Sequence, residues 1–122
     1  MAKAQANGIA IEYEVSGPVD GPVLLMIHGV GAQLVRWPPA LIEALEQAGF
    51  RTLRFDNRDI GLSTHIDAPV PDIAAVVEAR RRGDEPDLPY TLSDMAADTV
   101  GLLDALGIGR AHVLGVSLGG MI

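Results

Sequence analysis

The run from Ala111 to Ile122 constrains this chain more than any other stretch. Ala111-His112-Val113-Leu114-Gly115-Val116 is short and mostly apolar, the pattern of a strand buried in a parallel sheet. It leads straight into Ser117-Leu118-Gly119-Gly120, so that Gly115 to Gly119 spell G-x-S-x-G. Glycines on both sides of a serine let strand and helix close on a tight turn where Cβ atoms would clash. The hydroxyl is then pushed out at the strand's carboxyl end.

The preceding chain supplies neighbours for that strand. Ile9 to Val15 alternates apolar and polar residues and reads as a half-exposed strand, ended by the turn signals Ser16-Gly17-Pro18 and Asp20-Gly21-Pro22. Val23 to Ile27 is continuously apolar, as in a strand covered on both faces, and runs into the loop His28-Gly29-Val30-Gly31. Trp37-Pro38-Pro39 opens a helix with Leu41, Ile42, Leu45 and Ala48 on one side and Gly49 at its end. Arg51 to Phe55 is the next strand, followed by the polar loop Asp56 to Ser63.

Two more helices are expected. Pro71 to Arg82 reads as a short one, with Asp72 in the first turn and three arginines in the last. The clearest begins at Thr91, which forms a capping-box-like pair with Asp94. Its buried stripe is read as Leu92, Met95, Ala96, Thr99, Leu103 and Leu106, with Asp94, Asp98 and Asp104 on a solvated face. Strands alternating with helices imply an α/β fold: a mostly parallel sheet with helices on both faces and right-handed crossovers. Ligands in such sheets bind outside the strands' carboxyl ends. His28 to Gly31, Asp56 to Ser63 and Ser117 to Gly120 all meet that condition.

Composition narrows the function classes. The 122 residues suffice for one domain with one core. A hydrophobic content of 48% is rich for that size and implies apolar faces meant to be covered by further chain. The net charge is −7, and Arg80-Arg81-Arg82 closes a helix rather than forming a stripe, so nucleic acid is not an expected partner. With no cysteine, disulfides, thiolate metal sites and a thiol nucleophile are excluded. Met1 to Gly8 lacks a signal-peptide core and no apolar run approaches the ~20 residues of a membrane helix, so a cytoplasmic location with no membrane partner is expected. No histidine stands at ligand spacing in the acidic loop, and neither metal nor cofactor is expected.

Three motifs now stand in order: His28-Gly29-Val30-Gly31-Ala32-Gln33, Asp56-Asn57-Arg58-Asp59-Ile60-Gly61-Leu62-Ser63 and Gly115 to Ile122. One G-x-S-x-G among 14 glycines is a weak signal, but three motifs, each ending an expected strand, are a strong one. From Gly8 onward the chain resembles the amino-terminal half of α/β-hydrolase-fold esterases. The Asp56 loop and Tyr90 to Asp98 are similar to the branch of anthracycline methyl-esterase-like enzymes. The resemblance implies that residues 1–122 are a partial α/β-hydrolase domain. It would hold the first five strands and intervening helices, cut after the nucleophile elbow, with the carboxyl-terminal half absent.

The resemblance also assigns roles. Ser117 becomes the nucleophile, and the backbone N–H groups of Val30 and Leu118 become the oxyanion hole, where losing one donor typically costs about 10²–10³ in rate. Gly29 and Gly31 become the glycines that let backbone approach substrate, and Gly115 and Gly119 the motif glycines that leave room for the tight turn. His28 belongs to the oxyanion motif and is not taken as the base. His112 is five strand residues from Ser117, about 16 Å at ~3.3 Å per residue. His65 reads as a solvated loop residue. Asp56, Asn57 and Asp59 are expected to bond local backbone, and Trp37 and the Pro71 helix to pack as core or pocket rim.

Triads of this fold run Ser, then Asp or Glu, then His, which places both later members beyond Ile122 and leaves this polypeptide inactive alone. A small-molecule ester, of a small alcohol and a hydrophobic acid, is the expected substrate. The alternatives are a haloperoxidase-like perhydrolase, lactonase or acyltransferase, or a non-catalytic ligand-binding homologue. The Ala111 to Val116 strand, left with an open edge, is expected to promote poor folding or self-association.

Overall fold

The computed structural model describes residues 1–122. Five strands form one sheet: β1 (Ala2–Ala6), β2 (Ile9–Ser16), β3 (Val23–Ile27), β4 (Arg51–Phe55) and β5 (His112–Gly115). Their order across the sheet is β1-β2-β4-β3-β5. β3 pairs in parallel with both β4 and β5, while β2 runs antiparallel to β1 and β4. The helices are α1 (Pro39–Gln47), α2 (Ile73–Arg81) and α3 (Leu92–Ala105), with 3₁₀ turns at Leu34–Arg36 and Ser117–Gly120. No helix is long and apolar enough to cross a membrane.

β1 is the strand that sequence patterning missed. Ala2-Lys3-Ala4-Gln5-Ala6 has no β-branched residue, so nothing in it signals a strand. What creates it is the turn that follows. Asn7 and Gly8 both take positive φ (49° and 78°), the two-residue hairpin geometry whose twist matches the flanking strands, and Ala6 pairs with Ile9.

Side chains alternate across the sheet and divide the core in two. Leu25 and Ile27 of β3 join Ile11, Leu53, Phe55 and Leu102 of α3 on one face. Leu24 and Met26 point the other way, onto Trp37 and the Leu41, Ile42 and Leu45 side of α1. The alternation on β4 carries charge into the second face, where Arg54 is buried. Its guanidinium donates to Thr52 Oγ1 (2.7 Å) and Ser16 Oγ (3.0 Å) and pairs with Glu14 (2.9 Å). β5 ends the strand order, with β3 as its one neighbour, and Val113 is 61% exposed there.

Helix ends follow their caps. Thr91 and Asp94 form the expected capping box. α2 starts two residues later than its pattern implied, because Asp72 is the N-cap, accepting the Ala74 N–H at 3.0 Å, rather than a first-turn residue.

α3 corrects one expectation. Asp98 is not on a solvated face; it is 3% exposed, on a buried stripe with Met95, Thr99 and Leu102, while Leu92 is 42% exposed. Asp98 can be buried because Arg58 meets it with both arms of the guanidinium, Nε at 2.6 Å and Nη2 at 2.7 Å, and Asn7 Nδ2 donates to it at 2.8 Å. Arg58 in turn lies 4.9 Å from the centre of the Tyr90 ring. Three segments far apart in sequence, the β1–β2 turn, the loop after β4 and α3, converge on one carboxylate.

Removing one member of a buried, hydrogen-bonded pair strands the other charge, at a cost of about 3–5 kcal/mol. Asp98→Ala and Arg58→Ala are each expected to lower the free energy of urea unfolding by that amount, and Arg58→Met with Asp98→Leu by much less. Asp104→Ala, at an exposed position, should stay within about 0.5 kcal/mol of the parent chain.

Candidate active site

The β3–β5 ladder is extended by the Val116 N–H, which donates to the Ile27 carbonyl at 3.0 Å, and then the chain turns on Ser117. Ser117 has φ of +55°. The other non-glycine residues with positive φ are Asn7 and Asp59, types that tolerate this region. A serine there costs on the order of 1–3 kcal/mol and persists only where its surroundings enforce it. Those surroundings are the two motif glycines. A methyl group at Gly115 would lie 2.5 Å from the Gly119 carbonyl oxygen, and one at Gly119 would collide with the Ile27 carbonyl. Gly120 is not under this constraint, its nearest obstacle being 3.6 Å away. The serine itself is exposed.

Beyond Ser117 the 3₁₀ turn closes with Gly119 N–H on Val116 O (2.9 Å) and Met121 N–H on Leu118 O (2.9 Å). A turn that starts this way leaves the Ser117 and Leu118 N–H groups without partners inside it. The loop after β3 comes up beside it. Gly29 is buried, and a Cβ on it would lie 3.1 Å from Ser117 Cβ and 3.2 Å from the Val116 carbonyl. The next residue, Val30, is 81% exposed, and its N–H donates to no acceptor in the chain. Gly31 has open space around it; its need for glycine is conformational, with φ of +70°. Ser117, Gly29, Gly115 and Gly119 are thus in one place, with Leu118 and Val30 each one residue away along the chain.

None of the three histidines is hydrogen-bonded to Ser117. His28 Nδ1 accepts the Gly29 N–H at 3.0 Å, which fixes the proton on Nε2, and its ring lies 4.5 Å from that of Trp37, tilted by 37°. His65 Nε2 is 3.0 Å from the Gly61 carbonyl in an exposed loop. His112 is exposed on β5 and meets Phe50 edge-on at 5.7 Å. Trp37 is a core residue, 4% exposed. α2 borders a cavity of about 560 Å³ with Pro71, Leu88 and Pro89, but neither the His28–Gly31 loop nor the Ser117 turn contributes to its wall.

The Asp56 to Ser63 loop bonds backbone, as its residue types imply. Asp56 takes the Leu62 N–H on Oδ2 (3.0 Å), and Asp59 takes the Ile66 N–H on Oδ1 (2.6 Å). Ser63 donates to Asp56 O at 2.6 Å and accepts the Glu12 N–H at 2.9 Å. Burial works against ionisation of Asp59, but the Tyr90 hydroxyl, the Ile66 N–H, His65 and Arg58 outweigh it and hold the carboxyl below its usual range. The same neighbourhood pushes Tyr90 up to about 12, through burial first and Asp59 second. The loop also reaches further than a local reading implies. Asp56 Oδ1 accepts the Leu34 N–H at 2.7 Å, and Asn57 Nδ2 donates to the His28 carbonyl at 3.3 Å. No group of three or more His, Asp or Glu stands where it could hold a metal ion.

Burial, and then the positive charge of Arg36, hold His28 below the ordinary histidine pKa. The unfolded chain takes up this proton near pH ~6.5, the folded chain only at lower pH, so between the two the unfolded state binds more protons. Stability is therefore complete above pH ~6.5 and declines as pH falls toward the folded-state value. Urea unfolding measured from pH 7.5 down to 5 should show that decline, and His28→Gln should flatten it; an unchanged slope would remove His28 as its source.

Comparison with known proteins bears on the same residues. A family model for the alpha/beta hydrolase fold matches residues 22–122. RutD of Variovorax paradoxus strain S110, named as a carbamate hydrolase, is 36% identical over 112 residues, 92% of this chain and 35% of RutD. The rhodomycin D methylesterase DauP of Streptomyces sp. strain C5 is 32% identical over 108 residues, 88% of this chain and 30% of DauP. The crystal structure of the enol-lactonase from Burkholderia xenovorans LB400 superposes with a TM-score of 0.74 at 30% identity, over 98% of this chain and 38% of that one. The chain therefore spans about a third of the length of these proteins. With the turn, the glycines and the loop order in agreement, this chain belongs to the α/β-hydrolase fold family.

Proposed function

We propose that this chain is the nucleophile-bearing amino-terminal part of a serine hydrolase that cleaves carboxylic esters through an acyl-enzyme. One observation carries the reading: an exposed serine held at φ of +55° on a strand-to-turn corner, with the Gly29 backbone packed against its Cβ. Ser117 Oγ attacks the ester carbonyl as a base takes its proton. The electron pair moves to the carbonyl oxygen, which is met by the Val30 and Leu118 N–H groups. The tetrahedral species then collapses, the alcohol leaves with a proton, and water releases the acid by the same steps in reverse roles.

The base is assigned outside these residues. His28 spends its Nδ1 lone pair on Gly29, His65 bonds the Gly61 carbonyl in an exposed loop, and His112 makes no hydrogen bond to Ser117. The usual chain order of such triads, Ser then acid then His, supports an acid and a histidine contributed by later chain. A methyl or other small-alcohol ester of a hydrophobic acid is the proposed substrate, supported by the likeness to a methylesterase and, for the internal-ester variant, to an enol-lactonase.

In the complete hydrolase carrying this segment, Ser117→Ala should lower kcat on p-nitrophenyl acetate by at least about 10³-fold. The 122-residue polypeptide alone should show no turnover above its own Ser117→Ala control. Sustained, Ser117-dependent turnover by that polypeptide would contradict a base located elsewhere.

A further inference from the structure

The loop from His28 to Leu34 carries the Val30 N–H, and its two ends are held by consecutive side chains. At its start, the buried Asn57 donates from Nδ2 to the His28 carbonyl at 3.3 Å. At its end, the buried Asp56 accepts the Leu34 N–H at 2.7 Å. Between these points the loop's hydrogen bonds run from the Ala32 N–H to Gly29 O at 3.3 Å and from the Gly29 N–H to His28 Nδ1 at 3.0 Å, while Gln33 O accepts the Arg36 N–H at 2.9 Å. Gly29 is packed against the Ser117 turn, but Gly31 in the left-handed region and an 81% exposed Val30 add no hydrogen bond of their own. A segment so sparsely bonded takes its shape from its ends. The two clamps are also different in kind. Asp56 holds the loop's far end and its own loop at Leu62, so it is tied to the architecture. The His28 carbonyl is the side-chain amide's one partner, in the peptide unit immediately before the one that carries the Val30 N–H.

We propose that Asn57 is a positioning residue for the oxyanion hole: by holding the His28 carbonyl it sets where the Val30 N–H points relative to Ser117. This rests on the function proposed above. The amide must present its NH₂ side, since its oxygen facing a carbonyl would repel it. The lever is short. Rotating the His28–Gly29 peptide swings the next N–H, and a displacement of about 1 Å at a reacting group can cost on the order of 10²-fold in rate.

The test uses two variants of nearly the same shape in the complete hydrolase carrying this segment. Asn57→Leu removes the donor; Asn57→Asp puts an acceptor in its place. Both should lower kcat on p-nitrophenyl acetate by about tenfold or more with KM changed less than about twofold, the aspartate variant by more, because a lost oxyanion donor acts on the transition state. Ser63→Ala serves as control, since it loosens the same loop without touching His28. It should lower the thermal midpoint and leave kcat within about threefold, the range expected when only stability is affected.

Several results would overturn the proposal: kcat within twofold of the parent in Asn57→Leu, an equal kcat loss in Ser63→Ala, or failure of both Asn57 variants to fold. Should turnover survive Ser117→Ala, the function is wrong but the clamp is still read by amide exchange. Faster exchange at Ala32 in Asn57→Leu supports it, and unchanged exchange sinks it.

Discussion

The approach of the Ser117 turn to the end of β3 is the constraint on which the other features depend. Gly119 sits against the Ile27 carbonyl and Gly115 against the Gly119 carbonyl, both too close for any side chain. With backbone on backbone at this point, the chain leaves β5 through a serine in a conformation serines avoid. The strain is local and the restraint is steric, so the hydroxyl stays exposed without relying on flexible side chains. A scaffold that fixes a reactive group through backbone contacts holds it more tightly than one built on loop side chains.

Around that corner the loop after β4 ties the molecule together in two directions. Through Asp56 and Asn57 it grips both ends of the loop that faces Ser117. Through Arg58 it grips Asp98 on α3, and through Asp98 the β1–β2 turn at Asn7. Three consecutive residues therefore connect the site to the helix layer and to the sheet's far edge. The Arg58 charge is matched by Asp98, and the buried Asp56 carboxylate is met by two backbone N–H groups, which is the condition for polar groups to add specificity rather than cost.

Most of this frame was legible in the sequence, and the gaps have physical causes. The apolar run of β3, the Thr91 cap and the G-x-S-x-G signal local structure, and each sits where its pattern puts it. β1 was invisible because an alanine-rich segment carries no strand preference; its pairing is imposed by the Asn7-Gly8 turn. Asp98 was misplaced because polarity on a helix reads as exposure, and only a partner 40 residues earlier reverses that. A signal did exist: Asp98 stands three residues from Met95, on the same stripe, with an arginine waiting in a loop at the strands' carboxyl ends. In sequence, Asn57 and Asp56 read as bonding nearby backbone because short polar side chains usually do. That the backbone belongs to another loop is a tertiary fact.

The central claim is that the corner at Ser117 presents its hydroxyl to the N–H groups of Val30 and Leu118. A crystal structure of the complete hydrolase, inactivated by a methyl phosphonofluoridate, measures this directly. The adduct is expected on Ser117, with its phosphoryl oxygen about 2.7–3.1 Å from both N–H nitrogens. An adduct on another residue, or a phosphoryl oxygen turned to solvent with either nitrogen beyond hydrogen-bond reach, would contradict the account.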